Sequence, residues 1–154
     1  MKGKLVNLEV GNTDAATQMI AEMTGAKRFQ IQTVKTYKTG HMNLIKEAEE
    51  ELNENARPEL IGKVENIEQY DSIILGYPNW WGTIPMPVAT FLESYDFTGK
   101  KIYPLCTNEG SGLADSVNDI KKLVPSAEVE SGLAIIGGEV KNSKAAIEKW
   151  IANI

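Results

Sequence analysis

A chain of 154 residues, 42% apolar and 24% charged, is the size of one globular domain and can bury a real core. Its formal net charge of −5, with lysines scattered among Glu and Asp, argues against nucleic-acid binding, which needs clustered cations. No apolar run approaches the ~20 residues of a membrane span, Met1-Lys2-Gly3-Lys4 leads into no signal-peptide core, and one cysteine excludes an internal disulfide, so a cytoplasmic protein without a membrane partner is expected.

Short apolar runs alternate with helical patterns along the whole length. Leu5 to Leu8 reads as a brief strand, ended by the turn residues Gly11-Asn12. Thr13 or Asp14 can cap a helix that puts Met19, Ile20 and Met23 on one face and stops at Gly25. Phe29, Ile31 and Thr33 alternate with polar residues, as in a half-exposed strand. Asn43 to Asn55 predicts a helix with Leu44, Ile45, Ala48 and Leu52 on one stripe and a solvated run of Glu opposite. Ser72 to Leu75 reads as a buried central strand.

Met86 to Tyr95 predicts a helix begun by Pro85 and Pro87, and Lys101 to Cys106 a further strand. Leu113 to Leu123 is helical, its lysines suiting the negative end of the dipole. Val129 to Ile136 supplies the last strand. Ser143 to Ile154 closes the chain as a helix capped by Ser143, with Ala146, Ile147, Trp150 and Ile151 facing inward. Asn7, polar inside a presumed buried strand, has no explanation at this level.

Five strands alternating with helices predict one α/β domain over residues 1–154, a parallel sheet covered on both faces. Ligands in such sheets sit beyond the carboxyl ends of the strands, where the winding reverses. Three loops therefore form the candidate site. The first, Val10-Gly11-Asn12-Thr13, runs into a helix and offers free N–H groups at the positive end of a dipole, a natural phosphate seat. The second, Pro78-Asn79-Trp80-Trp81-Gly82, sets two adjacent tryptophans on a rigid backbone, as a planar ligand requires for stacking. The third, Thr107-Asn108-Glu109-Gly110-Ser111, brings backbone N–H groups and hydroxyls close to a ligand edge. Cys106 ends an apolar strand and reads as an inert buried thiol, and His41 as a surface or loop residue. One His and one Cys do not make a zinc site.

The segments Gly11-Asn12-Thr13, Leu75-Gly76-Tyr77-Pro78, Trp80-Trp81-Gly82-Thr83 and Gly110-Ser111-Gly112 resemble the flavodoxin family. Within it they resemble the short bacterial flavodoxin-like proteins that bind flavin mononucleotide (FMN), as do Asn55-Ala56-Arg57-Pro58 and the stretch Phe91 to Phe97. The resemblance covers nearly the whole chain. It implies a three-layer fold with a five-stranded parallel sheet in the order 2-1-3-4-5 and FMN at the switch point, the arrangement for which flavodoxin is the standard instance. It also implies that Trp80 or Trp81 stacks on the flavin ring while the backbone of residues 107–112 meets its pyrimidine edge.

Family members carry Ser or Thr where this chain has Leu8 and Val10, and their hydroxyls bond the FMN phosphate. Each missing bond weakens binding by about 1.5–3 kcal/mol, or one to two decades, and Glu9 adds negative charge nearby. Three roles follow from the resemblance. One is a low-potential electron carrier serving a redox partner protein, its potential depressed by burial and by the acidic surroundings. The second is an FMN-dependent oxidoreductase passing electrons from NAD(P)H to a quinone or similar acceptor. The third is a regulatory or binding module with weakened FMN affinity.

Overall fold

The structure, a computed structural model, describes residues 3–8, 11–37 and 40–154, with His41 described by its backbone alone. The apolar runs form strands β1 (Gly3–Leu8), β2 (Arg28–Ile31), β3 (Ser72–Pro78), β4 (Lys101–Asn108), β5 (Glu128–Val129) and β6 (Leu133–Ile136). The amphipathic stretches form helices α1 (Gly11–Thr24), α2 (His41–Asn53), α3 (Met86–Glu93), α4 (Ser116–Leu123) and α5 (Lys144–Ile151). Every strand pair is parallel, in the order β2-β1-β3-β4-β5 with β6 also beside β4. The chain winds outward from β1 to β2 and then crosses back to β3, so the β1–β3 edge is the switch point. This is the order the resemblance implied, with a sixth strand added.

Side chains alternate along each strand and sort to two faces. Val6, Leu75, Tyr77, Ile102 and Cys106 pack with Val88 and Phe91 of α3 and Ile120 of α4. Leu5, Leu105 and Ile135 pack with Ala16 and Ile20 of α1 and Ile147 of α5. Asn7 shares the α1 face, because it lies two residues from Leu5. Its Nδ2 donates to Leu8 O at 3.0 Å and to Asp14 Oδ1 at 3.3 Å, tying the end of β1 to the first turn of α1. That explains a polar residue in a buried strand, although its Oδ1 has no partner among the described atoms.

Several boundaries differ from those expected. The last strand is two short pieces, β5 and β6, lying end to end along β4. β5 pairs with Lys101 and Ile102 and β6 with Leu105 to Asn108, so the break falls opposite Pro104, which brings no N–H to a ladder. α1 starts at Gly11, which puts Thr13 and Asp14 inside its first turn rather than at a cap. α2 starts at His41, two residues before the expected start, and α4 starts only at Ser116. Ser143 makes no side-chain cap on α5, its hydroxyl instead donating to Glu139 O at 2.7 Å. Ala146 is exposed, while Ile147 is buried and Trp150 and Ile151 are half-buried. The Glu run of α2 is not wholly solvated, since Glu51 is buried.

Two buried acids make the fold sensitive to alkali. Burial pushes the Cys106 thiol from 9.0 up to about 12. Burial also raises the Tyr77 phenol, against the opposing effect of its hydrogen bond with Ser116. Both groups stay protonated in the fold while the unfolded chain releases their protons at lower pH. Their stabilisation is complete below about pH 8 and is lost as pH rises toward 12. The urea midpoint is therefore expected to fall between pH 8.5 and about 10.5, and to fall less in Cys106→Ala; equal slopes would refute the assignment.

Candidate functional site

α1 begins at Gly11, beyond the carboxyl end of β1 at Leu8, so the N–H groups of its first turn have no helical partner and lie at the carboxyl edge of the sheet. Gly76 lets the helix lie this close. A Cβ there would stand 2.8 Å from Thr17 Cγ2, 3.2 Å from Asn7 Cβ and 3.4 Å from Thr13 Cγ2. Gly76→Ala is accordingly expected to lower stability by about 1–3 kcal/mol, measured by urea denaturation. The Thr13 hydroxyl does not point free into the loop. It is hydrogen-bonded to the Thr107 hydroxyl at 2.6 Å, and both residues are buried. Asp14 accepts from Gln30 Nε2 at 2.7 Å and from the Arg28 guanidinium, which also bonds Gln18.

Beyond β3 the chain makes a tight hairpin. Trp80 N–H donates to Thr83 O at 3.1 Å and Thr83 N–H to Trp80 O at 3.3 Å. The two residues between them, Trp81 and Gly82, have φ of 57° and 82°. Positive φ at both central positions defines a type I′ turn. It suits Gly82, but a bulky aromatic such as Trp81 is rarely found there, and the conformation costs on the order of 1 kcal/mol. Trp81 Nε1–H donates to Ile45 O at 2.9 Å, and Gly82 N–H to Asn79 Oδ1 at 2.9 Å, which hold the strained turn. The same Asn79 donates through Nδ2 to Gly112 O at 2.9 Å and Ser111 Oγ at 3.1 Å, joining the second loop to the third.

Trp80 is fixed from behind. Tyr37 meets its ring edge-on, centroids 5.9 Å apart at 69°. The Tyr37 hydroxyl donates to Glu51 Oε1 at 2.6 Å, and Lys35 pairs with Glu51 and with Glu47. Burial first, and these carboxylates second, raise the Tyr37 phenol far above its ordinary range. The third loop is held by Asn108, which accepts from Gly110 N–H at 2.8 Å and donates to Ile135 O at 3.2 Å.

These parts enclose a cavity of about 550 Å³. Gly11, Asn12 and Thr13 line one end, and Pro78, Asn79, Trp80 and Trp81 form a wall beside Thr107, Asn108 and Glu109. Gly82, Gly110 and Ser111 lie off the wall, in the turns that position it. Val10, like Glu9, is outside the described residues. Leu8 is buried in the core on the α3 face. Four lining residues escaped sequence reasoning: Leu44, Ile45 and Ala48 of α2, and Gly137 after β6. A Cβ on Gly137 would stand 2.3 Å from Asn12 Nδ2 and 3.2 Å from Glu109 Oε1, so the bare backbone leaves room where the ends of those side chains meet. Cys106, buried and protonated, does not line the cavity. Among the described lining residues Glu109 carries the one formal charge.

The sequence model of the flavodoxin family matches residues 6–154. No curated protein matches the chain by sequence. Among solved structures, a candidate flavoprotein from Bacteroides uniformis is 26% identical, with a TM-score of 0.84 over 96% of this chain and 97% of that one. A candidate flavoprotein from Bacteroides eggerthii is 25% identical, with a TM-score of 0.79 over 96% and 98%. A flavoprotein from Lactobacillus acidophilus, solved in complex with FMN, is 17% identical, with a TM-score of 0.72 over 92% and 97%, and shares the fold.

Proposed function

This chain belongs to the flavodoxin family, and we propose that its cavity holds FMN and that the loaded protein is a low-potential electron carrier. The observation that carries the reading is the pair of adjacent tryptophans, one in a strained turn, on the wall of a cavity at the winding switch point. The residues present fit the cofactor. Trp80 and Trp81, with Leu44, Ile45 and Ala48, give flat apolar walls suited to a planar ring. The backbone at the end of β4, at Thr107 and Asn108, would face a heteroatom edge, and the start of α1 gives N–H groups for a phosphate. The volume falls within the roughly 300–1,000 Å³ of small-molecule sites.

When bound, FMN supplies the redox chemistry. The chain's part is to bind and to set the local field. Glu109 on the wall and the net charge of −5 disfavour added negative charge in the cavity, which lowers a reduction potential there. Potentiometry on the loaded protein is expected to give a midpoint below that of free FMN, with no steady NAD(P)H oxidation in the absence of a partner. Sustained NAD(P)H turnover would assign the oxidoreductase role instead. Failure to take up FMN would leave a binding module.

Gly137→Ala probes the site with little change to the core. The displaced atoms are side-chain ends of Asn12 and Glu109, both exposed, so the fold has room to yield. FMN affinity is expected to drop several-fold in a fluorescence titration, with a smaller loss of stability than for Gly76→Ala.

A further inference from the structure

We infer that this site selects its ligand by the flavin ring far more than by the phosphate, and that Glu109 sets that balance. The inference rests on reading the cavity as a flavin site. The class of ligand it names is a flavin with or without a terminal phosphate, the unphosphorylated form competing on similar terms.

The ring end of the cavity is fully built, from two indoles and an apolar helix face. Among the described residues, the opposite end is poor in groups for an anion. The Thr13 hydroxyl is engaged with that of Thr107 at 2.6 Å, so one of the two protons is already used between them. Leu8 turns into the core and contributes nothing to the loop. Arg28, the cation bonded to the first turn of α1, is committed to Asp14 and Gln18. No Lys or Arg is among the described lining residues. Among the described residues, what remains for a phosphate is the backbone at the start of α1 and the Asn12 amide.

Glu109 then acts against that remainder. Its Oε1 and Asn12 Nδ2 converge on one point, lying 3.2 Å and 2.3 Å from where a Cβ on Gly137 would be. The carboxylate therefore sits beside the start of α1. A helix N-terminus carries about half a positive charge, and a full negative charge beside it offsets its pull on a second anion. A phosphate meets that repulsion with nearly two charges, whereas a neutral ribityl chain meets none. Contacts to the ring are common to both ligands and cancel in the ratio of affinities.

The experiment titrates the full chain with FMN and with riboflavin, by flavin fluorescence, at low and high salt, in the parent and in Glu109→Gln. In the parent the two affinities are expected to lie within about tenfold of each other. Added salt, which screens the repulsion, is expected to favour FMN relative to riboflavin. Glu109→Gln is expected to raise the FMN-to-riboflavin affinity ratio about three- to tenfold, the scale of one exposed charge acting over a short distance. A preference of about a hundredfold or more for FMN in the parent would overturn the inference. So would a ratio that neither salt nor Glu109→Gln moves. The salt series on the parent decides the matter even where the variant does not fold. Should neither flavin bind, the flavin reading itself falls, and this inference with it.

Discussion

Phe91→Ala is expected to lower folding stability by about 3–5 kcal/mol, the range for removing a buried aromatic ring. Phe91 sits on the inner face of α3 and is completely buried. Its ring centroid lies 5.0 Å from Tyr95, 5.9 Å from Phe97 and 6.2 Å from Phe29 of β2. The tilted pairings, 52°, 52° and 31°, avoid the face-to-face sandwich that aromatic quadrupoles disfavour. The four rings bind α3 both to an edge strand and to the loop leading to β4. Tyr95 extends the cluster, its hydroxyl accepting Val64 N–H at 2.8 Å. Deleting Phe91 removes the ring that touches the other three, and rings of that size cannot collapse fully into the gap. Domains of this kind are stable by about 5–15 kcal/mol, so the loss is a large part of the whole. The check is urea denaturation, with a lower midpoint at unchanged slope. A loss under about 1 kcal/mol would mean that the cluster closes over the cavity.

The alternation of strands and helices was legible because its signals are local and redundant, whereas the order of the strands came from the family resemblance. The run Ser72 to Leu75 reads as buried on both faces, and it is the strand between β1 and β4. The loops were legible jointly rather than singly, since Gly-Asn before a helix is often only a turn and a cap, and it gains weight from lying at the same sheet edge as paired tryptophans beside Pro and Gly. The missed residues show where local pattern is silent. Leu44, Ile45 and Ala48 form an ordinary apolar stripe, and a helix reads alike whether that stripe covers a core or a cavity. Glu51 lies in a run of glutamates that looks like solvent surface, and only the folded chain brings Tyr37 and Lys35 to it. The break between β5 and β6 depends on Pro104 in a neighbouring strand about 25 residues away, which no window along one strand contains. Gly137 reads as a turn residue, because its constraint comes from Asn12 and Glu109 in two other loops.

The tryptophan hairpin allows stability and ligand binding to be separated. Trp81→Gly is expected to weaken FMN binding by about 1–3 kcal/mol, about five- to 150-fold, taking base–aromatic stacking as the analogue. Trp81 is 50% exposed and lines the cavity, so it has free ring surface for a ligand to cover. Glycine is the informative replacement because the backbone there has φ of 57°, which glycine adopts without strain. Relief of that strain opposes the loss of the Nε1–H bond to Ile45 O, so thermal stability is expected to change little. Trp80→Ala should behave differently. Part of the Trp80 ring already packs on Tyr37, and its removal leaves a gap in front of the Tyr37–Glu51–Lys35 network. It is expected to lower both stability and affinity, with a smaller loss of affinity than Trp81→Gly because less of its surface is free. Fluorescence titration and thermal melts on the two variants decide between the assignments. If both bind FMN as the parent does, the rings are packing and not a platform. If Trp81→Gly loses stability in step with affinity, the strained turn belongs to the fold and was not selected for the ligand.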